Sequence, residues 1–378
     1  MEVKKANKCY IIDKDGNKFI DTTMGSGAQI IGHNNPLIKK ISKQIKKGTI
    51  YTISNCHTKD VNQYLANINP NLHSEYIFCS SGTEANMRAI RLARAYTGKN
   101  IIGRFHGGWH GGLDGFLEEH PDNKGVPDDI NNLFKVLPYN DNSCFDMITS
   151  DMAAVIIEPV QGSNPRSDIK EFLQKLRKHC TKVGVLLILD EIMTGFRLSS
   201  KGGAGIFNII PDIVTYGKVL GGGFPIGVLG GKKEIMKTQN VFYGGTFSAN
   251  PLSMYASKLI LETIINKEHI NYNYLDSIGK LFRDTLNKHF KKTNKQIRAI
   301  GCGPINRLIF TDKFIKNRKD RDKFETLNAQ KTFYVNLKNS GVFINSNGLF
   351  HFSMSHTPKV INKIIKVIKD ESKYYNKK

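Results

Sequence analysis

The chain has 378 residues, 40% of them hydrophobic and 23% charged, a composition that excludes disordered, collagen-like and disulfide-scaffold classes. No apolar run approaches the ~20 residues of a membrane span, and the start MEVKKANKCYIIDKDGNK lacks the apolar core and small-residue cleavage site of a secretion signal. The expectation is a cytoplasmic, globular protein without membrane association, long enough for two packed units. The formal charge of +22 raises nucleic acid as a partner, yet it comes from 43 Lys against 12 Arg, beside 34 Asn. Bidentate reading of phosphates and bases favours Arg. Clusters such as Lys39, Lys40, Lys43, Lys46 and Lys47 fall at helical spacing, as on a solvated face. No nucleic-acid partner is expected, and the charge suits attraction of an anionic small substrate. The six cysteines (Cys9, Cys56, Cys79, Cys144, Cys180 and Cys302) form no CxxC pair, so neither a metal site nor a disulfide framework is implied.

From residue 75 to about residue 230, short apolar strands alternate with amphipathic helices. A strand over 76–80 leads into a helix over 83–96, whose apolar residues recur near the 3.6 period. Strands follow at 100–104, 153–158, 185–189, 213–216 and 226–230. The continuous apolar runs AAVIIEP and VLLILDE suit strands buried on both faces, as in a parallel sheet covered by helices. After Asn250 the pattern is helical to about residue 292. A strand (299–310), a helix (322–340), a strand (342–344) and a last helix (358–374) follow. The chain therefore reads as a large α/β domain over 45–262 and a smaller α+β domain over 263–378, with residues 1–44 joining the smaller one.

Four stretches carry chemistry. Ser80-Ser-Gly-Thr-Glu-Ala-Asn86 lies at a strand-to-helix junction, where unpaired N–H groups and the positive helix end bind anions. Ser81, Gly82 and Thr83 would add hydroxyls and close backbone approach, and the same residues also read as an ordinary helix cap. It is neither GxxxxGK[ST] nor GxGxxG, which weakens nucleotide readings. In LILDEIMTGF, Asp190 and Glu191 follow a buried strand; a carboxylate there is costly unless it meets a cation or protonated ring. Adjacent strand residues point to opposite faces, so the two are not expected to act as a pair.

Tyr216-Gly-Lys-Val-Leu-Gly-Gly-Gly-Phe-Pro225 places Lys218 after a strand and before three glycines. A water-shielded Lys has a lowered pKa and serves as nucleophile or base; the plainer alternative is a surface Lys in a flexible loop. Phe105-His-Gly-Gly-Trp-His-Gly-Gly112 holds the only Trp. HxxxH on a helix would suit zinc, but four glycines argue for a turn presenting an aromatic face. Trp109 as an ordinary core residue is the alternative.

Taken together and in this order, these stretches resemble the class III (ω-type) aminotransferases, and within them the glutamate-1-semialdehyde 2,1-aminomutases. The segments LILDEIMTGFRLSSKGGAGIFNIIPDIVTYGKVLGGGFPIGVLGGKKEIM, SSGTEANMRAIRLARAYTGK and GGTFSANPLSMYAS carry the likeness, which is strong over residues 8–265. It implies an α/β chain of pyridoxal-phosphate fold type I, with a mainly parallel large domain and an α+β small one. It further implies that Lys218 forms the Schiff base with pyridoxal phosphate and that Asp190 pairs with the pyridine nitrogen. Ser81, Gly82 and Thr83 match the phosphate cradle, and Trp109 the aromatic stacked on the ring. His110, Glu158 and Ile192 match further members of the pocket. Thr246 matches a Thr that reaches the phosphate of the neighbouring subunit, which implies a homodimer with shared active sites.

The substrate half of the pattern departs. The Arg-bearing segment expected upstream of YIIDKDGN has no counterpart before Tyr10. Ser26 stands where the aminomutases have a Trp, Gly348 where they have a Glu, and Ser163 and Asn164 near an expected Asn. Arg307 is a candidate cation for an anionic substrate, with a surface or interface ion pair as its alternative. The resulting expectation is a transaminase moving an amino group from a small-molecule donor to a carbonyl acceptor, sugar-derived or phosphorylated. An aminomutase acting intramolecularly is the alternative, and a non-catalytic cofactor-binding regulator a third reading.

Overall fold

The computed structural model describes residues 1–73, 75–120, 122–325 and 327–375. Three strands open the chain, β1 (Val3–Asn7), β2 (Tyr10–Asp13) and β3 (Lys18–Asp21), followed by helices α1 (Leu37–Ile45) and α2 (Cys56–Ile68). The alternating region then runs β4 (Ile77–Cys79), α3 (Gly82–Thr97), β5 (Ile101–Phe105), α4 (Asp128–Asn131), β6 (Phe134–Leu137), α5 (Cys144–Met147) and β7 (Met152–Ile157). It continues through α6 (Lys170–Val183), β8 (Leu186–Asp190), α7 (Gly202–Phe207), β9 (Ile213–Gly217), β10 (Gly227–Gly231) and α8 (Lys233–Met236). Helices α9 (Pro251–Ile265) and α10 (Tyr272–Lys292) lead to β11 (Arg298–Cys302), β12 (Ile305–Ile309), α11 (Arg318–Phe324) and α12 (Leu327–Asn339). Strands β13 (Val342–Phe343) and β14 (Leu349–His351) and helix α13 (Pro358–Ser372) complete the chain.

Strands β4–β10 form one sheet in the order β4-β10-β9-β8-β7-β5-β6. Only β10 runs against its neighbours, β4 and β9; the other pairings are parallel. Every residue of β7 is buried, as its unbroken apolar run requires, and α3 packs on the same sheet through Ala89, Ile90, Leu92 and Ala93, none more than 2% exposed. Burial of such side chains stabilises by about 1.5–3 kcal/mol for each large one. Ser81 begins α3 by accepting the Glu84 N–H, and the Glu84 carboxylate accepts the Ser80 N–H at 2.7 Å, a reciprocal cap. Gly98 ends it with φ +68, a conformation that suits a residue without Cβ.

The chain divides into two compact units, one of Met1–Ile38, Gly162–Ser167 and Lys267–Lys378, the other of Lys39–Gln161 and Asp168–Asn266. The first holds the sheets β1-β2-β3-β13 and β11-β12-β14, the second the seven-stranded sheet. Three expected elements are divided. The helix after Asn250 is two, because Asn266 closes α9 and the Asn271 side chain caps α10 by accepting the Tyr274 N–H. The strand expected over 299–310 is a hairpin, β11 and β12 turning at Gly303, φ +54. The helix expected over 322–340 is α11 and α12. No helix among the described residues is long and apolar enough to cross a membrane.

Candidate active site

Because β4, β5, β7, β8 and β9 run in one direction, their carboxyl ends open at a common edge, where α/β sheets bind ligands. A cavity of about 280 Å³ lies there. Ser80, Gly82, Thr83 and Asn86 enter it from the β4–α3 junction, Trp109 and His110 from the segment after β5, and Glu158 from the end of β7. Asp190 and Ile192 come from the end of β8, and Lys218 directly after β9. Phe224, Pro225 and Ile226, leading into the antiparallel β10, close one side.

Asp190 is 2% exposed and holds three hydrogen bonds. Its Oδ2 accepts from Asn86 Nδ2 at 2.8 Å and His110 Nδ1 at 2.7 Å, and its Oδ1 accepts from the Ile192 N–H at 3.0 Å. Glu191, next in the chain, turns the other way and accepts from the Thr194 hydroxyl and the N–H groups of Gly203 and Ala204 at the start of α7. Burial pushes its carboxyl up to about 7, against those hydrogen bonds. The alternation of a strand thus separates the two acids, Asp190 to the cavity and Glu191 to the scaffold.

Lys218 adopts φ +42, a left-handed conformation rare for a residue with a side chain, and such strain concentrates at functional sites. Burial of its ammonium group lowers its pKa, while Glu158 and Asp190 pull in the opposite direction. Glu158 accepts the Trp109 N–H at 2.9 Å. Burial raises its carboxyl to about 7, with nearby Asp190 adding to the rise and His110 and Lys218 opposing it. Ile192 fits between two glycines: a Cβ on Gly82 would lie 3.1 Å from its methyls, and one on Gly217 3.2 Å.

Of the expected site residues, Gly82, Thr83, Trp109, His110, Glu158, Asp190, Ile192 and Lys218 share this cavity. Trp109 is not a core residue but 56% exposed. Ser81 does not line the cavity; its hydroxyl serves the helix cap, and Ser80 faces the cavity instead. Thr246 is exposed and outside the cavity of its own chain. The loop that carries it is held by Arg88, which donates to Gly244 O at 2.9 Å and Ser248 Oγ at 3.2 Å. In the other unit, Gly348 has φ +71, and a Cβ there would strike the Tyr334 hydroxyl at 2.2 Å. Arg307, the candidate cation, sits within its unit, 4% exposed, and donates to Asn347 O.

The family model for class III aminotransferases matches residues 1–363. Glutamate-1-semialdehyde 2,1-aminomutase 2 of Lachnoclostridium phytofermentans is 35% identical over 97% of this chain and 90% of its own length. Glutamate-1-semialdehyde 2,1-aminomutase 1 of Staphylococcus aureus is 35% identical over 97% and 89%. The chain belongs to the class III aminotransferases. Among solved structures, a β-phenylalanine aminotransferase from Variovorax paradoxus superposes with a TM-score of 0.88 at 27% identity, over 98% of this chain and 86% of that one. An ω-transaminase from Sphaerobacter thermophilus gives 0.90 at 24% identity, over 98% and 90%, and shares the fold. The fold is pyridoxal-phosphate fold type I, and the enzyme depends on that cofactor.

The residues present fit pyridoxal phosphate. An amine of lowered pKa, an anchored buried carboxylate and a helix N-terminus face one cavity. Gly111 packs so closely on the start of α3 that a Cβ there would meet Thr83 Oγ1 at 2.2 Å. The first-turn N–H groups of α3 at Gly82 and Thr83 have no intrahelical acceptor. Sequence reasoning passed over Ser80, Asn86, Met193 and Phe224, which also line this cavity of the aminotransferase. For Asn86 a signal existed: a polar, poorly helix-forming residue one turn after Gly82 and Thr83 in an otherwise apolar face.

Proposed function

We propose that the enzyme moves an amino group between two small molecules, an amino donor and a carbonyl acceptor, with Lys218 as the amine that holds the cofactor covalently. The bound cofactor supplies an aldehyde that accepts amines and a ring that takes up negative charge. Released from it, Lys218 moves the substrate proton as general base and acid, a role its lowered pKa supports. Asp190 would pair with the ring nitrogen and favour its protonation, Gly82 and Thr83 would receive the phosphate, and Trp109 and Ile192 would pack against the ring. The observation that carries this reading is the convergence of Lys218 and Asp190 on one cavity beside the start of α3.

The second substrate is a carbonyl acceptor different from glutamate semialdehyde. The support is Gly348, whose position has no room for the Glu of the aminomutases. A second reading, intramolecular amino transfer, is favoured by the names of relatives at 35% identity. The active unit is a homodimer in which Thr246 serves its partner's cofactor. In its favour, Ile53, Phe242 and Phe247 are 80, 75 and 65% exposed, and Asn55 joins their two segments by donating to Ala249 O at 2.7 Å. Apolar side chains so exposed mark surfaces that associate.

Borohydride reduction of the reconstituted enzyme should fix the cofactor on the peptide containing Lys218; labelling of another Lys overturns the assignment. An amino donor supplied alone should then release a stoichiometric carbonyl product. Efficient conversion of glutamate-1-semialdehyde to 5-aminolevulinate, without such release, would assign the mutase instead.

A further inference from the structure

We infer that Asn86 is a positioning residue, which locks the Asp190 carboxylate in register with the phosphate-facing end of α3, and that Thr215 sets the orientation of its amide. The inference rests on the reading above, in which Asp190 meets the ring nitrogen and the start of α3 meets the phosphate. Asn86 is 1% exposed and Thr215 fully buried. One terminal atom of Asn86 lies 2.8 Å from Asp190 Oδ2 and 3.0 Å from His110 O. Both of those are acceptors, so this atom is the amide nitrogen, with its two hydrogens spent on them. The amide oxygen therefore faces Thr215, whose hydroxyl donates to it at 2.7 Å. Thr215 stands opposite Asp190 in the β8–β9 ladder, and its carbonyl accepts the Glu191 N–H at 2.9 Å. Both amide hydrogens are thus engaged, and the amide oxygen has its own donor.

The place of Asn86 on the helix gives this lock a purpose. Gly82, Thr83 and Asn86 stand at i, i+1 and i+4, so all three face the cavity, and Asn86 lies about 6 Å along the axis from Gly82. A single rigid helix thus presents the phosphate-binding end and, one turn further, the group that holds the carboxylate. Sheet and helix are joined at this point, since Asp190 and Thr215 belong to β8 and β9. A cofactor gripped at both ends then meets a fixed spacing rather than two independent contacts. His110 adds the other donor to the same oxygen, but its Nε2 is buried without a hydrogen-bond partner among the described residues. Asn86 is therefore the member of the set that is itself anchored, through Thr215.

The test uses the reconstituted enzyme with Asn86→Asp, Asn86→Ala and Thr215→Val, reading the cofactor Kd from its visible band across pH 6–9 and the single-turnover rate with an amino donor. Wild-type protein is measured first: failure to bind the cofactor or to show the band refutes the functional reading, separately from this inference. Asn86→Asp puts a second carboxyl group against Asp190, and two such groups share one proton. Relative to wild type, its cofactor Kd should match near pH 6 and weaken at least tenfold by pH 9, a pH signature that a packing defect would not give. Asn86→Ala should slow the single turnover tenfold to a hundredfold, the range of a lost hydrogen bond to a charged group. Thr215→Val preserves volume and should slow it several-fold with unchanged donor KM. An Asn86→Asp enzyme that follows wild type at every pH overturns the inference. If that variant does not fold, a Thr215→Val rate within twofold of wild type overturns it equally.

Discussion

Replacing Asp190 by Asn removes one negative charge from the cavity and little else. At 2% exposure the carboxylate is shielded from water, so an effective dielectric near 20 applies rather than 80. A carboxylate hydrogen-bonded to a cationic ring nitrogen at about 3 Å then interacts by about 5 kcal/mol. The amide retains a neutral hydrogen bond of about 1 kcal/mol, which leaves a loss of about 4 kcal/mol, or about a thousandfold in rate. The three donors now on Asp190 sharpen the effect. With its oxygen toward Asn86 and His110, the new amide turns its NH₂ on the Ile192 N–H, donor against donor. Cofactor affinity should weaken as well, since the same contact is lost in the bound cofactor, although Gly82, Thr83 and Trp109 keep their part of the site. The assay is a single turnover with an amino donor, followed in the visible band, beside a titration with the cofactor. A rate within threefold of wild type would refute the reasoning. Loss of cofactor binding with an unimpaired residual rate would place Asp190 in retention rather than in chemistry.

Trp109 is the only tryptophan of the chain and stands at the cavity, so cofactor binding should quench the intrinsic tryptophan emission by at least half, and a failure to quench in a fluorescence titration removes Trp109 from the ring face. Asp212, 4% exposed, meets Arg177 at 2.6 Å, Lys232 at 2.7 Å and the Leu187 N–H at 2.8 Å. Burial pushes its carboxyl up, but Arg177, Lys232 and the Leu187 N–H outweigh this and hold it below its ordinary value. Its contribution to stability is therefore complete above the unfolded value near 3.9 and disappears as pH falls through the lower native one. Asp212→Asn should cost about 1–3 kcal/mol at pH 7, discounted for the half-exposed Lys232, and progressively less as pH falls below the unfolded value near 3.9, as read by urea denaturation along a pH series. Mixing inactive Lys218→Ala chains with an inactive Thr246 variant should restore activity through hybrid dimers; confirmed subunit exchange without recovery would refute a shared site.

The architecture of the cavity edge was legible because burial on both faces leaves unbroken apolar runs. AAVIIEP and VLLILDE announce β7 and β8, and a carboxylate or lysine closing such a strand stands out against them. Asp190 and Lys218 stand out as candidates from that pattern, and the resemblance to the family supplies their roles. Short strands with lysine-rich or mixed faces, β1 and β6 among them, carry no such contrast and went unread. Helix boundaries after Asn250 depended on asparagine caps inside a continuous helical period, which periodicity cannot separate.

What the tertiary structure alone decided is how distant residues share one group of atoms. Asn86 and Asp190 are 104 positions apart and His110 and Asp190 80 apart, and no local period relates them. Whether Ser80 or Ser81 faces the cavity turned on a single hydroxyl being drawn into the cap of α3. Residues 162–167 likewise join the unit of the chain ends rather than the one that surrounds them in sequence. Local pattern records which face of an element is buried, because that is a property of neighbours along the chain. The pairing of buried polar atoms is settled only where elements cross, since each donor must find an acceptor there or remain unpaid for its lost water.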